Sequence, residues 1–141
     1  MSSTKKVLKT VYLPGVFDLF HIGHLNAITQ AKAFGNYLIV GVQADKSVFK
    51  QKKKYPVLNQ KQRIRIMQSI KGVDRVILYR NTDQSAVLKS LRPRIIAVNH
   101  DYGTQDTQQK KTLGFAAKYN IQVKRIHYTQ AISTTKLRKK I

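Results

Sequence analysis

The sequence contains no cysteine and no glutamate in its 141 residues. The absence of cysteine excludes disulfides, thiolate metal ligands and a cysteine nucleophile, and it is typical of a reducing compartment. No apolar run approaches the ~18 residues of a membrane span. The basic amino terminus does not continue as a signal peptide, because Pro14 and Asp18 interrupt the apolar segment after it. We therefore expect a soluble, cytoplasmic protein with a single domain over residues 1–141.

Acidic side chains are scarce altogether. The sequence has six aspartates and 27 lysines and arginines, which gives a formal net charge of +21. Such a surface attracts polyanions at low salt. A nucleic acid or another polyanion as a functional partner is one explanation, and a generally basic proteome in the source organism is the other. Net charge alone leaves both open.

The spacing of apolar residues predicts an α/β fold. A β-branched segment at 7–13, ended by Pro14-Gly15, precedes a helical spacing at 22–34 and a continuous apolar run at 37–42. The alternation continues after a basic loop, with strands at 75–79, 94–98 and 121–126 and helices starting near Asn59, Asp83, Asp106 and Ser133. This order predicts a Rossmann-like five-stranded parallel sheet with helices on both faces.

Two of the four histidines lie in the segment "GVFDLFHIGH", residues 15–24. His21 and His24 fall on one face of the first helical turn, where free amides and the helix dipole favour an anion. Their imidazoles can donate to phosphate oxygens, and Gly15 and Gly23 allow a ligand to come close. The alternative for either histidine alone is a partly buried structural residue. A zinc pair lacks further ligands, and the G-x-G-x-x-G pattern of a dinucleotide site is absent.

The segment resembles the G-x-F-D-x-x-H-x-G-H signature of the cytidylyltransferase-like nucleotidyltransferases. Three more segments resemble family motifs in the expected order: "GVDRVI" at 72–77, "NHDY" at 99–102 and "ISTTKL" at 132–137. The resemblance covers nearly the whole chain. It implies that a nucleoside monophosphate is transferred from a nucleoside triphosphate to a phosphorylated acceptor, with release of pyrophosphate.

The resemblance also implies the site residues. For catalysis they are His21, His24, Lys53, Arg63, Ser133 and Thr134, with Lys53 favoured over Lys50, Lys52 and Lys54 of the loop at 46–57 and Arg63 placed for phosphate contact. For nucleotide binding they are Gly15, Val16, Phe17, His21, His24, Asp101, Thr129, Ile132, Ser133 and Thr134. A turn-forming aspartate is the alternative for Asp101. Asp18 is expected to be a structural acid that orients the histidine loop, and Asp74 to support the fold or a dimer.

The chain departs from the family pattern at Arg75, His100 and Tyr128, which replace a glutamate, a glycine or aspartate, and an arginine. The expected reaction joins CTP to a small phosphorylated alcohol or sugar. The alternatives are ATP-dependent adenylyl transfer of the heptose-phosphate or FAD synthase type, and a polyanion-binding protein on an inactivated fold. Mg²⁺ bridging the nucleotide phosphates, with no dedicated protein ligands, is the expected cofactor. A homodimer is the expected assembly.

Overall fold

The computed structural model describes residues 7–127. Five parallel strands form one sheet in the order β3-β2-β1-β4-β5: β1 (Thr10–Gly15), β2 (Tyr37–Gln43), β3 (Arg75–Tyr79), β4 (Ile95–Asn99) and β5 (Gln122–Ile126). The helices are α1 (Ile22–Ala33), α2 (Asp45–Lys52), α3 (Gln60–Gln68), α4 (Ser85–Leu91) and α5 (Thr107–Lys118). The predicted Rossmann-like five-stranded parallel fold is confirmed.

The sheet is buried on both faces because the side chains of β1 alternate between two cores. Val11 and Leu13 pack in one core with Ile28 of α1 and Met67 of α3. Tyr12 points the other way, into the core that α4 and α5 cover. Helices therefore lie on both faces, as the alternation of strands and helices predicts.

The order of the strands reverses at β1. The chain first builds outward through β2 and β3, and then crosses back to place β4 on the other side of β1. In open parallel sheets, ligands bind beyond the carboxyl ends of the strands at this reversal. The residues that come after Gly15 and Val98 are thereby placed at the edge where a site is expected.

Two local predictions were wrong. Strand β1 runs through Pro14 and Gly15 instead of ending before them, since the fixed φ of proline is compatible with an extended chain. The basic segment predicted as a loop contains α2, whose N-cap, Ala44, makes no side-chain cap bond and so gives no sequence signal. The helix predicted from Ser133 lies outside the described residues.

Other local predictions are confirmed. Asn59 caps α3 with a reciprocal bond to Gln62, and Asp106 caps α5. Asp74 supports the fold, since it accepts from Leu38 N at 2.7 Å and from Lys32 Nζ at 2.5 Å. None of the helices within residues 7–127 is long and apolar enough to cross a membrane.

Candidate active site

A cleft of about 740 Å³ opens at the carboxyl ends of the strands where their order reverses. Its lining residues are of two chemical kinds. One set, called here the histidine half, consists of residues 15–18 and His24 with Lys52, Lys54 and Tyr55. The other set, called here the polar half, consists of Gln43, Tyr79, Thr82, Gln84, Asn99, Tyr102 and Gln109. The predicted nucleotide-binding residues Gly15, Val16, Phe17 and His24 therefore all line the cleft, whereas His21 does not.

The two histidines cap α1, and backbone N–H groups fix the proton position on both rings. His21 is the N-cap residue, and its Nδ1 accepts from Gly23 N at 3.0 Å. His24 Nδ1 accepts from His21 N at 3.3 Å, and the two rings stack with centroids 3.8 Å apart. Because each Nδ1 is an acceptor, each neutral ring carries its proton on Nε2. Neither Nε2–H group has a hydrogen-bond partner among residues 7–127, so the pair offers N–H donors at the start of a helix.

Both histidines are neutral near pH 7. Burial lowers the pKa of His24 to about 4, aided by His21 and opposed by Asp18, and burial also lowers the pKa of His21. His24 is only 8% exposed and contacts Phe17 and Phe20 through its ring. The histidines are therefore suited to donate hydrogen bonds, with no positive charge of their own.

The neutral state predicts the pH dependence of activity. For the phosphorylated acceptor that the resemblance implies, we expect kcat/KM to rise between pH 5 and 7, because the acceptor phosphate loses its second proton near a pKa of about 6. The activity should then stay level to about pH 8.5, because both histidines have lowered pKa values and are already neutral in that range. Steady-state rates across this range measure it. A fall between pH 6 and 7.5 would mean that a protonated histidine is required.

Asp18 joins the histidine loop to the segment after α2. Its carboxylate accepts from Val57 N at 2.7 Å, Leu58 N at 2.9 Å and Leu19 N at 3.1 Å. The flanking residues Phe17 and Leu19 have φ values of 56° and 46°, a conformation unfavourable for such side chains. These bonds hold the loop in that conformation and agree with the predicted role of Asp18 as a structural acid.

The structure corrects the predicted role of Arg63. The guanidinium is fully buried, so it cannot reach a phosphate in the cleft from this position. Its nitrogens donate to Val16 O at 2.8 Å, Leu58 O at 3.0 Å and Asp45 Oδ1 at 2.7 Å. Arg63 therefore binds the backbone of Val16, a residue of the cleft lining, and positions the histidine half.

The favoured lysine of the prediction, Lys53, is not part of the cleft lining in this structure. Lys53 ends α2 in the left-handed conformation, with φ 61°, and does not line the cleft. Its neighbours Lys52 and Lys54 do. The run of lysines leaves the register open from sequence alone, and the composition of the cleft lining favours Lys52 and Lys54 among the candidates.

Lysine substitutions test which of these lysines binds the phosphates. We expect Lys54→Ala to raise the KM for the nucleoside triphosphate about tenfold or more, because a charge-assisted hydrogen bond to phosphate is lost. Lys53→Gly, which suits the left-handed backbone, should have a clearly smaller effect. The exposed Lys89→Ala on α4 is the matched control for loss of one positive charge. A larger effect from Lys53 than from Lys54 would restore the original assignment.

The segment after β4 also differs from its prediction. Asp101 is exposed and does not line the cleft, and its backbone oxygen accepts from Thr104 N and Oγ1 in a turn. Asn99 and Tyr102 line the cleft in its place. The turn-forming alternative therefore describes Asp101 in this structure. The predicted Thr129, Ile132, Ser133 and Thr134 lie outside the described residues, and so does Tyr128.

Sequence reasoning missed most of the polar half. Gln43 and Tyr79 are the last residues of β2 and β3, and Gln84 begins the turn into α4. The signal was present, because the carboxyl ends of parallel strands meet at one edge of the sheet and polar residues there face the ligand. Buried polar residues at strand ends are therefore candidates in their own right.

With the fold and cleft defined, comparison with known proteins identifies the class. The family model described as cytidylyltransferase-like matches residues 12–140. An FAD synthase of Thermococcus sibiricus is 33% identical over 142 residues, covering 98% of this chain and 95% of that protein. The chain belongs to the cytidylyltransferase-like family of nucleotidyltransferases.

Other similarities cover a shorter segment of this chain or have a lower identity. An ethanolamine-phosphate cytidylyltransferase of Dictyostelium discoideum is 45% identical over 71 residues, covering 50% of this chain and 20% of that protein. The chain spans only 20% to 26% of the length of the first curated relatives that it matches. A solved lipopolysaccharide core biosynthesis protein of Thermoplasma volcanium superimposes with a TM-score of 0.70 at 27% identity, covering 87% of this chain and 98% of the other.

Proposed function

We propose that this protein transfers a cytidylyl group from CTP to a small phosphorylated alcohol or sugar and releases pyrophosphate. One observation supports this most directly: a stacked, neutral histidine pair lies at the N-terminus of α1, and its member His24 lines the same cleft as Lys52 and Lys54. Such a site favours the phosphate chain of a nucleotide, because hydrogen-bond donors, the helix dipole and ammonium groups all stabilise negative charge.

The reaction requires little of the protein beyond placement and charge stabilisation. An oxygen of the acceptor phosphate attacks the α-phosphorus, the bond from that phosphorus to the β-phosphate oxygen breaks, and pyrophosphate leaves. The acceptor is mostly dianionic near neutral pH, so no general base is needed. His24 and the first turn of α1 stabilise charge that develops on the α-phosphate and on the departing pyrophosphate. Holding both anions in line supplies much of the remaining acceleration.

The proposed reaction includes Mg²⁺ bound to the nucleotide. Within residues 7–127 there is no group of three or more side chains suited to bind a metal ion. Asp18, the acid in the cleft lining, already receives three backbone N–H bonds. This donor set fits an ion held mainly by phosphate oxygens and water, and the ion would add charge neutralisation to that of the lysines.

A second candidate is adenylyl transfer from ATP. It is favoured by the likeness to an FAD synthase over 98% of the chain, whereas the likeness to the ethanolamine-phosphate cytidylyltransferase covers 50%. The higher identity of the latter, 45%, is the reason that CTP stands first here. Both candidates share the same bond-making step and the same residues of the histidine half.

Pyrophosphate release tests the proposed function. The full chain is incubated with CTP or ATP, Mg²⁺ and a panel of phosphate monoesters, including glycerol 3-phosphate, a hexose 1-phosphate, phosphoethanolamine and FMN. We expect acceptor-dependent pyrophosphate release that is fastest with CTP. Faster release with ATP would support the second candidate. Silence with every pair, together with salt-sensitive nucleic-acid binding, would instead indicate a polyanion-binding protein.

A further inference from the structure

Helix α2 separates the cleft from a second pocket of about 760 Å³, called here the basic pocket. Val48, Gln51 and Lys52 of α2 line the cleft, whereas Lys46 and Lys50, one helical turn apart, line the basic pocket. The two pockets have no lining residue in common. The basic pocket is therefore a separate surface, which the proposed reaction does not use.

The positive charge of the basic pocket is not balanced by the protein. Four of its nine lining residues are cationic: Lys46, Lys50, Lys61 and Arg80. All four are exposed, and none of their side chains forms a salt bridge or a hydrogen bond within residues 7–127. Asp45, the acid among the nine, is already bound, since Oδ1 accepts from Arg63 and Oδ2 accepts from Gln60 N at 3.1 Å. Four positive charges are thereby left for a ligand.

The amide side chains of the basic pocket add further donors. Asn59 Oδ1 accepts from Gln62 N at 2.9 Å, and Gln60 Oε1 accepts from Asp45 N at 2.9 Å. These bonds use the amide oxygens, so the NH₂ group of each side chain is left as a donor, with no partner among residues 7–127. A lining of ammonium, guanidinium and amide N–H groups matches the oxygens of phosphate groups.

An exposed aromatic pair lies beside the basic pocket. Phe49 follows Lys46 by three residues on α2 and directly precedes Lys50, and its ring stacks on Tyr55 with centroids 4.6 Å apart. The two side chains are 42% and 56% exposed. Single exposed apolar residues are common, but here two rings hold each other in place next to unpaired cations. Such a pair is suited to stack on a further flat ring.

We propose that the basic pocket and the Phe49–Tyr55 pair together form a binding surface for single-stranded nucleic acid. Phosphates of the strand bind the cations, and an unpaired base stacks on Phe49. A double strand keeps its bases paired, and a lipid surface is too flat to fill a concave pocket, so neither uses both parts of the surface. This role accounts for part of the net charge of +21, and it does not depend on the proposed function.

Fluorescence anisotropy with a labelled oligouridylate of about 12 nucleotides tests the charged part of the surface. The full chain is titrated at several salt concentrations between about 50 and 200 mM. Lys61→Ala and Arg80→Ala should each weaken binding about fivefold and lower the slope of log Kd against log salt by about 0.7, the effect of one lost phosphate contact. The exposed Lys89→Ala on α4 is the matched control and should change neither quantity. Saturating CTP should also leave the affinity unchanged, because the cleft is a separate site.

Phe49 tests the stacking part, since it lines neither pocket. Phe49→Ala should weaken binding about fivefold or more with no change in the salt slope, because a stacked base is lost and every phosphate contact is kept. Phe49→Tyr keeps the ring and should restore the affinity. The control is Tyr119→Ala, which removes an exposed ring that pairs with Phe115 on α5. All variants should keep the melting temperature of the unaltered protein.

Competitors identify the class of partner. Unlabelled oligouridylate should displace the labelled strand at least about fivefold better, per phosphate, than inorganic polyphosphate, duplex RNA or vesicles of equal parts phosphatidylcholine and phosphatidylserine. Equal displacement by polyphosphate or the duplex, or better displacement by the vesicles, would overturn the single-stranded partner, as would full affinity in Phe49→Ala. Equal losses in Lys61→Ala and Lys89→Ala, or competition by CTP, would overturn the location. None of these results bears on pyrophosphate release, which is measured separately.

Discussion

Replacing His24 with alanine is expected to lower turnover by a factor of about 10² to 10³, the usual cost of removing one well-placed donor to a charge that develops in the transition state. The imidazole is a neutral donor at the N-terminus of α1, and its proton lies on Nε2 because Nδ1 accepts from the backbone. The loss should appear in kcat more than in the KM for the nucleotide, since the charge grows during bond breaking. Steady-state pyrophosphate release measures both parameters.

The controls for His24→Ala separate chemistry from folding. The variant leaves a cavity and loses the bond to His21 N, so its circular dichroism and melting curve must be recorded beside its kinetics. His100→Ala removes an exposed imidazole that does not line the cleft and should leave turnover unchanged. His21→Ala should also lower turnover by orders of magnitude, because His21 stacks on His24 and caps the helix. Unchanged pyrophosphate release by folded His24→Ala would rule out the role assigned to the histidine pair.

Arg63→Ala is expected to destabilise the protein by about 3 kcal/mol or more, because it leaves Asp45 and two backbone carbonyl groups without their buried partner. A domain of this size has about 5–15 kcal/mol of stability in all, so the melting temperature should fall by roughly 10 °C or more. Urea unfolding without nucleotide measures the effect. Activity should fall as well, since Val16 in the histidine half loses its support.

The matched control is Arg65→Ala on the same helix. Arg65 is exposed, and its removal should change the free energy of unfolding by no more than about 0.5 kcal/mol. The comparison decides between the two roles considered for Arg63. A direct phosphate contact would raise the KM for the nucleotide and leave the unfolding curve of the nucleotide-free protein in place. That pattern would contradict the structural role that the buried guanidinium indicates.

Much of the fold could be predicted from the sequence, because apolar periodicity and capping residues act locally. The run from Arg75 to Tyr79 is β-branched and apolar, and it forms β3 with those bounds. Helix α2 could not be predicted in the same way. Four of its eight residues are charged and its cap is an alanine, so its position depends on packing of Val48 and on the bond between Asp45 N and Gln60. Such tertiary support leaves no periodic signal.

The positions of site residues could be predicted where a motif fixes the backbone. They were harder to predict where a long side chain can adopt several directions. His24 and Asp18 lie where the motif places them, since both are bound to nearby main-chain amides. Arg63 differs, because its guanidinium is buried against Asp45 and Val16, neither of which is close to it in sequence. Tyr102 was overlooked beside Asp101, although a buried hydroxyl can be recognised only once the packing is known.

The most direct measurement of the central claim traces the oxygen atoms of the acceptor. A phosphate monoester labelled with ¹⁸O on its phosphate is incubated with the protein, CTP or ATP, and Mg²⁺, and the products are analysed by mass spectrometry and phosphorus NMR. The proposed mechanism predicts a nucleotidyl product whose bridging oxygen carries the label, and pyrophosphate that carries none. Label in pyrophosphate, an unlabelled bridge, or no acceptor-dependent product would contradict it.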